Sequence, residues 1–452
     1  MAMRTIWDRA KELAEGATSA EAIAEEALAR IADPAGEGGR AFVHHDPEKV
    51  RAFARQSDEM RRRGVVPSPL AGLPVSLKDL FDVAGEVTRA GSRILDGTPA
   101  AARDSVVAAR LRAAGAVLVG RTNMTEFAYG GIGFNPHYGT PAAPYDRATG
   151  RVPGGSSSGA AVSVADGMAV AGIGTDTGGS CRIPAAFCGV VGYKPSQPRV
   201  SREGCFPLSD TLDSIGPLAA SVADCALVDQ VIAGRPVRPL AELPARGLRL
   251  AIPTTYVMDD LEKPVADAFS RAISRLSSAG AHVHEAPFRV IGRMPELFVK
   301  GGIGGGEAFA LHRPWLETRY GDYDPKVATR LEIAREQSVA DYLALRALRA
   351  EMVATLERET VEVDALVFPT VAIIPPAISS FGDHQSLEDY TRVNGRSLRN
   401  TYVGNAFDRC AISIPCHGEG EPPVGLMLVG AHGADDHLFR LALAIERRLA
   451  KV

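Results

Sequence analysis

Five short apolar runs recur along this chain: Ala116–Gly120, Leu248–Pro253, Ala365–Pro369, Ala411–Pro415 and Val424–Val429. Each is too short for a core helix and is bounded by Gly, Pro or charged residues, so each reads as a strand buried on both faces. Helical patterns lie between several of them, as in Val265–Ala279 and Asp436–Leu449. That alternation predicts an α/β fold: a single large domain with a mixed central β-sheet covered by helices on both faces. With 452 residues, 46% of them hydrophobic, the chain can bury a core of that size.

Within this frame the sequence divides by pattern. An N-terminal helical segment covers about 1–60, with a capping box read at Thr18-Ser-Ala-Glu21 and an apolar face on Ile23, Ala24, Ala27, Leu28 and Ile31 that runs until Pro34. A glycine- and serine-rich core follows at about 70–230, including a helix expected from Asp104 with Gly115 as its stop. The Pro, Gly and Arg of 231–247 mark a surface connection between two halves of the sheet. A helical flank without strands covers about 295–360, and C-terminal strands occupy about 364–452.

Composition excludes several functions. The net charge is −4 with basic residues scattered, so no nucleic-acid face is expected. The N-terminus lacks the apolar core of a signal peptide, and the most apolar stretch, Ala160–Gly174, is interrupted by Asp166 and too short to span a bilayer. Six cysteines without CxxC spacing read as reduced thiols, and a cytoplasmic location is expected.

The chemistry-bearing stretch is 151–180, RVPGGSSSGAAVSVADGMAVAGIGTDTGGS. Two glycine–serine clusters flank an apolar helical run. In Thr177-Gly178-Gly179-Ser180, successive backbone N–H groups can converge on one point, as an oxyanion hole requires. Either cluster alone is better explained as a plain turn. Lys78 lies in Leu73-Pro-Val-Ser-Leu-Lys-Asp79, an alternating pattern that predicts a half-buried strand. A lysine there is a structural ion pair, with Asp79 the nearest candidate, or an amine whose pKa burial lowers until it accepts a proton from a serine.

Together these segments resemble the amidase signature family. The matching stretches are GLPVSLKD at 72–79, RVPGGSSSGAA at 151–161, GTDTGGSCRIPAAFCGVVGYKPS at 174–196, DTLDSIGPLAASVADCA at 210–226 and AISIPCHGEGEPPVGLMLVG at 411–430. The resemblance implies an amidohydrolase that works through a Ser–cis-Ser–Lys triad without metal or organic cofactor. Ser180 would be the acyl-enzyme nucleophile, Ser156 the bridging residue after a cis peptide at Gly155, and Lys78 the base. The oxyanion hole would fall on the N–H groups of Thr177, Gly178 and Gly179. The resemblance also sets Phe127, Tyr129, Gly130, Gly131 and Gly133 near a small-molecule amide substrate. Cys181 and the Gln197-Pro198 pair depart from the family pattern; Cys181 reads as a space-filler and Gln197-Pro198 as a changed wall of the site. Ser157 and Ser158 are expected to brace the loop.

Rival readings fit less well. Gly155–Gly159 matches G-x-S-x-G around Ser157, but no strand precedes it as a nucleophile elbow needs. The loops lack the P-loop Lys-Ser/Thr, and no H-E-x-x-H or Cys/His cluster suggests zinc. His282 and His284 read as decoration on a strand. Within the family, the glutaminase component of a tRNA-dependent amidotransferase and a urea- or carbamate-type hydrolase are the alternatives. Homo-oligomerisation stays open.

Overall fold

The computed structural model describes residues 3–382 and 385–449. Eleven strands are formed by Phe42–His44 (β1), Pro74–Lys78 (β2), Val117–Thr122 (β3), Ala171–Asp176 (β4), Val191–Lys194 (β5), Ser214–Ala219 (β6), Arg249–Pro253 (β7), His282–Ala286 (β8), Ala365–Pro369 (β9), Ala411–Pro415 (β10) and Gly425–Val429 (β11). They build one sheet in the order β1-β3-β2-β4-β6-β5-β10-β11-β9-β7-β8. Parallel pairs lie toward both ends, β3-β2-β4 and β9-β7-β8. An antiparallel stretch from β4 to β9 joins them. The sheet is mixed, as expected.

Side chains alternate between sheet faces along a strand, yet every residue of β2, β4, β5, β6, β9 and β11 is buried. Both faces are therefore covered. Ser158–Ala165 packs on β4, Val222–Ile232 on β6, Arg182–Cys188 on β5 and β10, and Lys263–Ser278 on β9. The five apolar runs all become strands, and 231–247 crosses from the helix Val222–Ile232 to β7 in the other half of the sheet. His282 and His284 lie on β8, at the sheet edge.

Three expectations need correcting. The first long helix, Ala20–Ala32, is capped by Ser19, not Thr18: Ser19 Oγ accepts from the Ala22 N–H at 3.0 Å. Glu21 closes no capping box, because with Ser19 as the cap the third helical residue is Ala22; the carboxylate of Asp58 takes the N–H groups of Ala20 and Glu21. The helix expected from Asp104 starts at Val106 with Ser105 as its cap, and Asp104 instead accepts from the Ala84 N–H. Finally, β2 is buried on both faces where alternation predicted one, since β3 and β4 flank it and helices close over it.

Candidate active site

Lys78 ends β2, between β3 and β4, and its side chain is fully buried. Its Nζ donates to Ser156 Oγ and to Thr175 Oγ1, each at 2.7 Å. Asp79 does not pair with it; the Arg121 guanidinium lies 3.5 Å from that carboxylate. Without a carboxylate partner among the described residues, burial pushes the Lys78 pKa down to about 8.

The Gly155–Ser156 peptide is cis. Its loop is tied on both sides. The Gly155 N–H donates to the Gly131 carbonyl (2.8 Å) and the Thr125 N–H to that of Ser156 (3.1 Å), while the Ser157 N–H reaches the Ser180 carbonyl (3.3 Å). Ser157 and Ser158 brace the loop as expected, donating from Oγ to the carbonyls of Thr175 and Asn123.

Ser180 sits between β4 and the helix Arg182–Cys188. The turn before it is held by Asp176, whose carboxylate accepts from the Cys181 N–H (3.1 Å), from Arg182 Nε (3.0 Å) and Nη2 (2.8 Å), and from Asn405 Nδ2 (3.0 Å). Burial alone would raise the Asp176 pKa, but the fully buried Arg182 overrides it and holds the carboxyl below its ordinary value. Position 179 admits only glycine: its φ is +137°, and an added Cβ would lie 2.0 Å from Thr401 Oγ1. Among the described residues the N–H groups of Thr177, Gly178, Gly179 and Ser180 donate to no protein acceptor. Four unspent donors thus cluster at the serine.

A cavity of about 210 Å³ opens beside this turn, with Thr177, Gly178 and Ser180 on one wall and Tyr129 and Gly130 on another. Ser156 and Lys78 are fully buried and do not line it. Phe127 and Gly131 do not line it either. Phe127 belongs to an aromatic core, its ring 4.3 Å from that of His312 and 5.4 Å from that of Phe206. The Gly131 N–H is used by Asn394 Oδ1 at 2.8 Å. Gln197 is no wall of this cavity; its Nε2 donates to the Asp210 carbonyl at 2.9 Å. Cys181 is fully buried, and burial pushes its thiol pKa well up, which fits a space-filler. Among the described residues, no group of three or more His, Cys, Asp or Glu is arranged to hold a metal ion.

Sequence reading missed the far walls: Phe298, Arg330, Ile333, Leu398 and Tyr402 come from the helical flank and the segment after it. It also missed Thr175, although Thr175 lies inside the GTDTGGS stretch and was legible there.

Comparison with known proteins defines the class: this is a hydrolase acting on carbon–nitrogen amide bonds. The family model described as Amidase matches residues 22–439, and the chain belongs to the amidase signature family. It is 36% identical over 412 residues to a 2-amino-5-chloromuconic acid deaminase of Comamonas testosteroni, covering 90% of this chain and 88% of that protein. It is also 36% identical over 472 residues to the A-type subunit of the glutamyl-tRNA(Gln) amidotransferase of Chloroflexus aggregans, covering 96% and 94%. A crystal structure of an amidase superposes with a TM-score of 0.87 at 34% identity, over 99% of this chain and 100% of that one. No described helix is long and apolar enough to cross a membrane.

Proposed function

We propose that the chain hydrolyses a small-molecule carboxamide through an acyl-enzyme on Ser180, with Ser156 and Lys78 as its proton relay and no resident cofactor. The observation that carries this reading is the 2.7 Å contact between Lys78 Nζ and Ser156 Oγ inside a fully buried site. A neutral Lys78 takes the proton of Ser156, which takes that of Ser180, and Ser180 Oγ bonds the carbonyl carbon. The oxyanion so formed accepts from the unspent N–H groups of Thr177, Gly178, Gly179 and Ser180. The relay then returns its proton to the nitrogen as the C–N bond breaks, releasing ammonia or an amine. Water attacks the ester by the same relay and frees the acid. The six cysteines, all free, fit a cytoplasmic setting.

A fluorophosphonate probe should label Ser180, and Ser180→Ala should abolish labelling and amide turnover together. Labelling at Ser157 with turnover kept in Ser180→Ala would overturn the assignment. The similarity to the A-type component of an amidotransferase supports a second reading, in which this chain supplies ammonia within a complex. Partner chains that copurify and are required for glutamine hydrolysis would favour it.

A further inference from the structure

Among the described residues, Arg330 is the one charged side chain lining the cavity beside Ser180, and it is 9% exposed. Among the described residues it forms no ion pair. A buried guanidinium in that state is costly unless something else answers its charge. Part of the answer is visible. Its Nε donates to the Lys326 carbonyl at 3.0 Å and its Nη2 to the Tyr129 carbonyl. Its Cζ lies 4.9 Å from the Tyr129 ring centroid and 5.3 Å from that of Tyr390. These contacts fix the plane of the fork. They use two of its five N–H donors, and the remaining donors meet no protein acceptor among the described residues.

Two further polar groups belong to the same wall. Tyr129 and Tyr402 both line the cavity, and neither hydroxyl has a hydrogen-bond partner among the described residues. Apart from Thr177 and Ser180 at the catalytic turn, the rest of the lining is glycine and apolar side chains, Leu208, Leu212, Phe298, Ile333 and Leu398 among them. A fixed guanidinium with spare donors, facing an otherwise apolar cavity, matches a carboxylate at the far end of a short apolar substrate.

We propose that Arg330, assisted by the Tyr129 and Tyr402 hydroxyls, binds a substrate carboxylate, so that the substrate is the monoamide of a short dicarboxylic acid. The inference rests on the proposed amidase reading for the second end of the molecule, where the amide meets Ser180. The cavity volume of about 210 Å³ limits the chain between the two groups to a few carbons.

The test uses malonamate, succinamate, glutaramate and adipamate against neutral amides of matched length, propionamide through hexanamide. Binding is measured by calorimetry on Ser180→Ala, and kcat/KM on the wild-type chain. At least one monoamide should bind at least tenfold more tightly than its neutral partner. Adding Arg330→Gln should remove that preference, and in the active chain should cost at least tenfold more kcat/KM on the monoamide than on the neutral amide. Arg330→Lys, which keeps the charge and loses the fork, should restore part of the preference. Equal binding of charged and neutral amides, or a loss in Arg330→Gln that falls equally on both, makes Arg330 a wall of the pocket only and overturns the proposal. Because binding is read without turnover, failure of the Ser180 assignment shows separately, as labelling and activity that survive Ser180→Ala.

Discussion

A lysine with a pKa near 8 sits between two roles. The ordinary value is 10.5, and burial penalises the ammonium, so the folded protein favours the neutral amine. The sign follows: as pH rises through about 8, Lys78 loses its proton and becomes the base that the relay needs. Amidase kcat/KM should therefore climb through pH 8 and level off above it. Below that pH the group is charged and unpaired, and the rate should fall about tenfold per pH unit. Lys78→Arg keeps the charge and cannot deprotonate, so it should be as inactive as Lys78→Ala. Lys78→Arg with most of its activity and an unchanged pH profile would make Lys78 a structural cation. Ser156→Ala should lose more activity on amides than on esters, because an alkoxide leaves with less help from a proton donor.

At the scale of the element, the turn that ends β4 depends on a buried pair. Asp176→Ala would leave Arg182 fully buried without its carboxylate, a change that costs roughly 3–5 kcal/mol in such settings. It would also free the Cys181 N–H that fixes the residue after Ser180. A lower Tm together with slower fluorophosphonate labelling is expected. A lower Tm with an unchanged labelling rate would show that the turn holds its shape without Asp176. This element also shows what the sequence could tell. The apolar runs are local, so the strands are legible directly, whereas Ser180, Ser156 and Lys78 stand out only when their segments are read together as a resemblance to the amidase signature family. The half-buried reading of β2 fails because its second face is covered by helices distant in the chain. Ser19 replaces Thr18 as the cap, while Asp58, nearly forty residues on, takes the first N–H groups of that helix. Phe127 precedes the serine loop in sequence, whereas its ring joins residues 206, 312 and 315 in a core. Arg330 escapes notice since nothing local marks a helical arginine as facing a cavity.

For the whole molecule, one continuous sheet predicts that its two halves melt together. The join is β5 against β10, where Ala411, Ile412 and Ser413 pair with Lys194, Tyr193 and Gly192. We propose that 1–452 is a single folding domain on that basis. The two tryptophans test it from separate places: Trp7 lies in the N-terminal helix Ile6–Ala14 and Trp315 in the helix Gly302–Arg319. Single-tryptophan variants should give coincident thermal transitions by fluorescence, both matching far-UV circular dichroism. Separated midpoints would divide the chain into two units.

The far walls of the cavity come from residues 298–402, while the lysine and both serines lie within residues 78–180. Bond-breaking and molecular choice are thus written in different paragraphs of the same text. A lineage could rewrite the second paragraph, exchanging one guest for another, without disturbing a letter of the first.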